Sequence, residues 1–126
     1  MEMDLSLQIV RTSFVLAVPH AANAADYWCD ILGFEMQTKL EGWRFVTRGQ
    51  CRVMLGECAD ALPPSELGDH SYFGYIEIAG IDNYHAQINR RGAQVLSPPA
   101  DKPWKMREMA VCTPDGHRVM FAQEIA

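Results

Sequence analysis

The sequence lacks the clusters of basic residues that mark most nucleic-acid-binding proteins. Its 126 residues include 11 Lys and Arg against 16 Asp and Glu, for a formal net charge of −5. The longest run of basic side chains is the pair Arg90-Arg91, whereas non-specific binding to nucleic acid needs an extended positive surface. We therefore expect no nucleic-acid partner, and an acidic balance of this kind suits a cationic small molecule.

The sequence also lacks an apolar run approaching the roughly 20 residues that a membrane-spanning helix needs. The segment LAVPHAANA (16–24) resembles the end of a signal peptide. However, the acidic Glu2 and Asp4 precede it and Arg11 interrupts the apolar stretch, which a signal peptide would not tolerate well. We interpret this stretch as a strand and expect a cytoplasmic protein with no membrane partner.

The cysteines form no Cys-x-x-Cys pair and have no regular spacing. They are Cys29, Cys51, Cys58 and Cys112. In a cytosolic chain of this size the simplest interpretation is four reduced thiols. Cys51 and Cys58 could supply half of a zinc site, but no His or second cysteine pair is suitably spaced to complete it.

An internal repeat organises what the sequence does contain. Residues 47–57 read TRGQCRVMLGE and residues 113–123 read TPDGHRVMFAQ, an offset of 66 positions (117 − 51 = 66). Thr, Arg, Val and Met match at that offset. Repeats of this length indicate a duplicated structural unit, which determines the fold as a whole.

Each copy of the unit has the pattern of a strand, a helix and three further strands. Alternating apolar residues predict the first strands at 13–18 and 73–78, and the helical pattern after each ends at a glycine, Gly33 or Gly92, suited to a C-terminal cap. Further strands are predicted at 34–40 and 93–97, a loop that carries Trp104 follows Pro98-Pro99, and a β-hairpin turns at Pro114-Asp115-Gly116. We predict one α+β domain over 1–126 made of two βαβββ repeats: repeat one at about 13–57, a linker at about 58–71, and repeat two at about 72–123.

A doubled βαβββ unit with ADYWCDILGF in its first helix and MREMAVCTPDGHRVMFAQ at its end resembles the vicinal oxygen chelate superfamily. That superfamily includes glyoxalase I, extradiol dioxygenases, fosfomycin-resistance enzymes and bleomycin-resistance proteins. The segment PWKMREMAVCTPDGH is most similar to the bleomycin-resistance branch, in which a Trp-bearing loop leads into an Arg-Glu strand. The resemblance implies curved, cleft-bearing mixed sheets and a homodimer with clefts at or near the subunit interface.

Enzymes of this superfamily usually hold a divalent metal with His and Glu side chains from the inner strands. The resemblance puts the corresponding positions at Ser13, Met54, Phe73 and Met120. Hard and borderline divalent cations prefer His, Asp or Glu, whereas thioethers suit soft ions. We therefore predict no metal and no cofactor at this site.

Strand alternation, combined with the family geometry, assigns several side chains to the inner face of the curved sheet. The result is a cleft of apolar, aromatic and thioether groups with a few charges, a composition common in small-molecule sites. Aromatic faces near carboxylates favour planar or cationic ligands, and Trp104 would serve as a lid over the cleft or as a dimer contact. The candidate ligand-binding residues are Ser13, Met54, Phe73, Tyr75, Glu77, Trp104, Glu108, Cys112 and Met120.

Structural roles for the same residues stay open. Methionine is a common gap-filler in cores, and aromatic side chains more often pack than bind ligands. The carboxylates of Glu77 and Glu108 are costly to bury unless they are paired. The arginines that could pair with them are Arg44, Arg107 and Arg118.

The sequence favours a metal-free protein that binds a small organic ligand, such as an antibiotic or another aromatic or cationic compound, without chemistry. We expect Trp104 and Glu108 to act on the same ligand. The alternative is a glyoxalase-like lyase or isomerase, or a dioxygenase, with displaced metal ligands or with Glu77 or Glu108 as a general base. A third possibility is an interaction module whose dimer surface matters more than its cleft.

Overall fold

A computed structural model describes residues 9–67 and 71–126. The strands and helices, in chain order, are β1 (Ser13–Val18), α1 (Ala21–Asp30), β2 (Glu35–Leu40), β3 (Trp43–Arg48), β4 (Cys51–Glu57), β5 (Tyr72–Glu77), α2 (Ile81–Arg90), β6 (Gln94–Asp101), β7 (Met106–Cys112) and β8 (Arg118–Glu124). The described part of the expected linker contains a 3₁₀ turn at Pro64–Leu67, and residues 68–70 lie outside the described residues.

The two repeats form two four-stranded sheets with the same strand order. The orders are β1-β4-β3-β2 and β5-β8-β7-β6. In each sheet the first strand pairs in parallel with the last, and the other neighbours are antiparallel. The helix after the first strand provides the crossover that a parallel pairing requires. The predicted α+β fold of two βαβββ repeats is therefore confirmed.

Both helices end at a glycine with a positive φ angle, as the sequence predicts. The φ angles of Gly33 and Gly92 are 80° and 92°. The chain then folds back onto each helix, with the Phe34 N–H donating to the Trp28 carbonyl at 2.9 Å and the Ala93 N–H to the Ile88 carbonyl at 3.0 Å. These bonds satisfy carbonyl groups that the last helical turn would otherwise leave unpaired.

Each sheet has one face covered by a helix and one open face. Alternate residues of the strands point toward the helices and join Trp28 and Ile88 in the core. We call this side the helix-covered face and the opposite side the open face. The buried strand residues on the helix-covered faces are Leu16, Val18, Val46, Val53, Leu55, Met109, Val111, Val119 and Phe121.

Strand β6 continues through two prolines and past the end of the strand predicted at 93–97. The strand extends to Asp101, with register shifts between Val95 and Ser97 and between Ser97 and Ala100. Because β6 is an edge strand, Pro98 and Pro99 remove no hydrogen bond from a second neighbour, and the irregular register accommodates them. The strand predicted at 93–97 is therefore too short, and the loop predicted at 100–105 is wrong at its first two residues, which belong to β6.

The repeats meet along β1 and β5, which are edge strands of their respective sheets. The strand pairings of the described residues all lie within one repeat or the other, so side chains make the junction. The Phe14 and Phe73 rings pack edge to face at 5.4 Å, and the Tyr84 hydroxyl donates to the Leu32 carbonyl at 2.7 Å. We call this junction the seam.

Within the described part of the chain, no helix is both long enough and apolar enough to cross a membrane.

Candidate functional site

A buried carboxylate on the open face of the second sheet is shared by two aromatic side chains. Glu108 in β7 is only 8% exposed. Its Oε2 atom accepts a hydrogen bond from the Tyr75 hydroxyl and another from Trp104 Nε1, each at 2.7 Å. The Tyr75 and Trp104 side chains are themselves 47% and 62% exposed. Glu108 therefore fixes two rings that face solvent, and we call these three residues the Glu108 cluster.

Strand register brings the cluster together. Tyr75 lies opposite Met120 in β8, and Met120 lies opposite Ala110 in β7. Directly opposite residues point to the same side of a sheet, so Tyr75 shares a face with Ala110 and with Glu108, two residues along β7. The Tyr75 side chain reaches Glu108 diagonally across β8.

Trp104 belongs to a tight turn and not to a long lid. Only residues 102–105 separate β6 from β7, and Lys105 adopts a left-handed conformation with φ at 65°. The Lys102 N–H donates to the Met106 carbonyl at 2.8 Å, and the Lys105 N–H donates to the Lys102 carbonyl at 3.0 Å. This closed turn, together with the bond to Glu108, holds the indole over the end of β7.

The environment of Tyr75 keeps its phenol protonated. Partial desolvation, followed by the hydrogen bond to Glu108 and the charges of Glu108 and Glu77, raises the pKa of Tyr75 to about 12. Each of these influences disfavours a phenolate. At physiological pH the hydroxyl is therefore a hydrogen-bond donor to the carboxylate.

Two of the arginines proposed as partners for the inner carboxylates are engaged elsewhere. Arg107 Nε lies 2.6 Å from Asp101 Oδ1, and its Nη1 lies 2.8 Å from Asp82 Oδ2. Arg44 donates to the backbone carbonyls of Leu40 and Trp43. Tyr75 and Trp104, which both donate to Glu108, provide the hydrogen bonds that a buried carboxylate needs.

The open face of the first sheet is apolar and aromatic. Trp43 lies opposite Gly56, and the indole stands over that glycine so closely that a Cβ there would lie 2.8 Å from the ring. Phe45 packs edge to face with Trp43 at 6.2 Å, and the Arg52 guanidinium carbon lies 5.5 Å from the Phe45 ring centre. This arrangement forms a second ring-lined surface.

Trp43 and Phe45 are absent from the ligand-binding residues that the sequence predicted. Phe45 lies opposite Met54 in the register of β3 and β4, so it shares the open face with a residue that was selected. The alternation within WRFV (43–46) carried this signal, because it predicts that Trp43 and Phe45 point to one side and Val46 to the other.

With this geometry known, comparison with other proteins decides the family. The family model described as the Glyoxalase/Bleomycin resistance protein/Dioxygenase superfamily matches residues 9–121. The chain belongs to this superfamily.

Relatives within the superfamily include bleomycin resistance proteins. Those of Geobacillus stearothermophilus and Staphylococcus aureus are each 27% identical to this chain over 125 residues, covering 87% of it and 93% of the relative. They confirm the likeness to the bleomycin-resistance branch.

Solved structures share the superfamily fold. TioX from Micromonospora sp. ML1 has a TM-score of 0.76 at 21% identity, covering 91% of this chain and 98% of TioX. The bleomycin-binding protein from Streptomyces verticillus, complexed with copper(II)-bleomycin, has a TM-score of 0.71 at 23% identity, covering 91% and 96%. At these identities the likeness establishes the fold.

The structure places most, but not all, of the candidate ligand-binding residues on the open faces. Phe73 is the exception, because it packs on the helix-covered side against Phe14 and Trp28. A register shift between Tyr72 and Gly74 adds a residue to β5, and such a bulge turns one side chain to the opposite face. The assignment of Phe73 to the inner face is therefore wrong. Of the others, Ser13 and Met54 lie on the first open face, Tyr75, Glu77, Glu108, Cys112 and Met120 lie on the second, and Trp104 lies in the turn beside it.

The side chains at the superfamily's metal positions do not fit a divalent cation. The Ser13 hydroxyl accepts a hydrogen bond from Arg52 Nε at 2.7 Å, Phe73 points to the other face, and Met54 and Met120 offer only thioethers, which are poor ligands for hard ions. Over residues 9–67 and 71–126, no three or more His, Cys, Asp or Glu side chains come together as a metal-binding group.

Proposed function

We propose that this protein binds a planar or cationic small organic molecule at its open faces and does so without a metal and without catalysis. The Glu108 cluster is the observation that carries the proposal. A buried carboxylate holds the Tyr75 and Trp104 rings in place while both remain exposed to solvent. Rings of this kind stack on flat ligands and attract cations, and a nearby negative charge strengthens the second effect.

The names of the relatives support a ligand of this class. The relatives from Geobacillus stearothermophilus and Staphylococcus aureus are bleomycin resistance proteins, and the Streptomyces verticillus structure holds copper(II)-bleomycin. By extension, this protein sequesters an antibiotic or another aromatic or cationic compound. Because Glu108 accepts a hydrogen bond from each of the two rings, we assign it the role of positioning them.

The open faces also support a homodimer. Val15 on β1 is 62% exposed, and Leu40, Trp43 and Trp104 are further large apolar side chains left exposed in the single subunit. A soluble protein rarely leaves such surface uncovered unless it is an interface or a binding site. In our proposal a second copy covers part of these faces and the ligand is enclosed between subunits, in the cytoplasm, where the four free thiols of the chain stay reduced.

Binding measurements on matched variants test the proposal. The probes are metal-free bleomycin and the flat cation N-methylacridinium, titrated by calorimetry. Trp104→Ala and Glu108→Gln should each weaken binding of the acridinium about tenfold, corresponding to the roughly 1–2 kcal/mol of a partly desolvated cation–π or charged contact. The melting temperature should stay nearly constant, because the two rings that Glu108 holds are exposed.

Glu35→Gln is the control, since Glu35 is an exposed carboxylate on the edge strand β2 and should leave affinity unchanged. A Glu108→Gln variant that melts at lower temperature but keeps full affinity would assign a purely structural role to Glu108 and refute the site.

A further inference from the structure

A cavity lies at one end of the seam, mainly on the helix-covered side and away from Trp104 and Glu108. Its volume is about 670 Å³, within the range of roughly 300–1,000 Å³ that small-molecule sites occupy. The rings of Phe14, Phe34 and Tyr84 line it together with the Cys51 thiol, and the consecutive residues 75–80 form one wall. That wall is the free edge of β5 and the turn that follows it.

The opposite end of the seam is closed by a histidine. In the last strands of the two repeats, Cys51 corresponds to His117 (117 − 51 = 66). In their first strands, at 13–18 and 73–78, Ala17 corresponds to Glu77 (77 − 17 = 60). His117 is 5% exposed, and its ring Nε2 lies 2.8 Å from the Ala17 carbonyl oxygen. The Phe73 ring meets the imidazole edge to face at 6.2 Å. The space left at this end is only about 70 Å³.

Cys51 is too short to make the contact that His117 makes. The carbonyl that Cys51 would have to reach is that of Glu77, because Glu77 corresponds to Ala17 in the repeat. Successive residues of a strand direct their backbone groups toward opposite edges. The Ile78 N–H donates to the Ala122 carbonyl in β8 at 2.7 Å, so the carbonyl of Glu77 points away from β8 and toward the cavity.

We propose that this cavity binds a planar nitrogen heterocycle with a ring N–H. The N–H donates to the Glu77 carbonyl as the imidazole of His117 meets the Ala17 carbonyl, and the ring packs against Phe14 and Tyr84. The volume exceeds that of one imidazole, so the occupant is a fused system of two or three rings. This site is independent of the proposed ligand at the Glu108 cluster, although Tyr75 borders both.

The probe for this site is benzimidazole, and its matched control is 1-methylbenzimidazole, which lacks the N–H. Calorimetry should show that the methylated compound binds the protein at least tenfold more weakly. Cys51→His places an imidazole where His117 stands in the other repeat, and should weaken benzimidazole binding at least tenfold while raising the melting temperature. Cys58→His is the control, because Cys58 is exposed and lies outside the cavity lining.

A labelling experiment keeps the inference testable if Cys51→His does not fold. Benzimidazole should slow the alkylation of Cys51 by iodoacetamide in the unmodified protein and leave the rate at the exposed Cys58 unchanged, as quantified by peptide mass spectrometry. Burial raises the pKa of the Cys51 thiol, so the reaction is best run near pH 9. Equal binding of the two compounds, undiminished binding to a folded Cys51→His, or no protection of Cys51 would each overturn the proposal.

Discussion

At the scale of single residues, Glu108 shows how aromatic hydrogen-bond donors hold a carboxylate at a buried position. A carboxylate removed from water is costly unless hydrogen bonds replace the lost hydration. Tyr75 and Trp104 supply two such bonds. The sequence predicted that Trp104 and Glu108 act together because they are four residues apart. It did not predict the contact with Tyr75, which is 33 residues away in sequence and depends on the register across three strands.

The raised pKa of Tyr75 gives a prediction for alkaline titration. Followed by absorbance at 295 nm, Tyr75 should ionise near pH 12, against an ordinary tyrosine value of about 10. Because the pKa is higher in the folded state, the stability that Tyr75 contributes is complete below about pH 10 and is lost as the pH rises toward 12. Tyr75→Phe should remove this late-ionising group from the titration.

Glu108→Gln should move the pKa of Tyr75 back toward 10, because the variant lacks the negative charge that opposes a phenolate. If the titration of Glu108→Gln is the same as that of the unmodified protein, the carboxylate does not control Tyr75 in solution.

At the scale of the elements, β5 is where the two repeats stop being equivalent. Ser13 in β1 lies regularly opposite Arg52, whereas its counterpart in β5, Phe73, falls in a register shift and turns to the helix-covered side. The period-two pattern predicted the strand correctly but could not predict the face. A one-residue bulge reverses the alternation of side chains, yet the residue types that indicate a strand stay the same. The same limit applies to β6, whose predicted strand ended at residue 97 before the two prolines, although an edge strand tolerates them.

The corrected position of Phe73 predicts a structural and not a ligand-binding phenotype. Phe73→Ala removes ring contacts to Phe14, Trp28 and His117, and should lower the free energy of unfolding by about 2–4 kcal/mol, as large-to-small changes in packed cores do. Urea denaturation measures this loss. Affinity for N-methylacridinium should be retained at temperatures where the variant is folded, and a selective loss of affinity with unchanged stability would return Phe73 to the binding face.

At the scale of the whole molecule, the open faces predict association of subunits. Sedimentation of the unmodified protein at micromolar concentration should show a dimer. Val15→Glu places a charge on the open face of the edge strand β1, where it costs the single subunit little because Val15 is already exposed. It should therefore give a folded monomer, since burying an unpaired carboxylate at an interface is strongly unfavourable.

Val10→Glu is the matched control for the dimer, because Val10 is exposed and precedes β1. A monomer in the unmodified protein, or a Val15→Glu variant that remains dimeric, would show that these faces are not the interface.

The sequence predicted the duplicated architecture because the repeat pattern is local, with each unit set by its own strand and helix periodicities. It could not predict the cavity, since that depends on which side chains meet across the seam. Cys51 and His117 match in the repeat, yet one leaves space and the other fills it. This difference depends on the folded structure, in which His117 contacts the Ala17 carbonyl whereas Cys51 and Glu77 line the cavity.

The seam also has a consequence for how the molecule unfolds. Because strand pairing stays within each repeat, the repeats are candidate foldons whose cooperativity depends on a few side-chain contacts, among them the bond between His117 and Ala17. His117→Ala should lower stability by about 2–3 kcal/mol and split a single calorimetric transition into two, with amides of one repeat exchanging hydrogen before those of the other. The exposed His20, replaced by Ala, should leave one transition. A duplicated protein joined in this way behaves thermodynamically as one domain only while the seam stays closed.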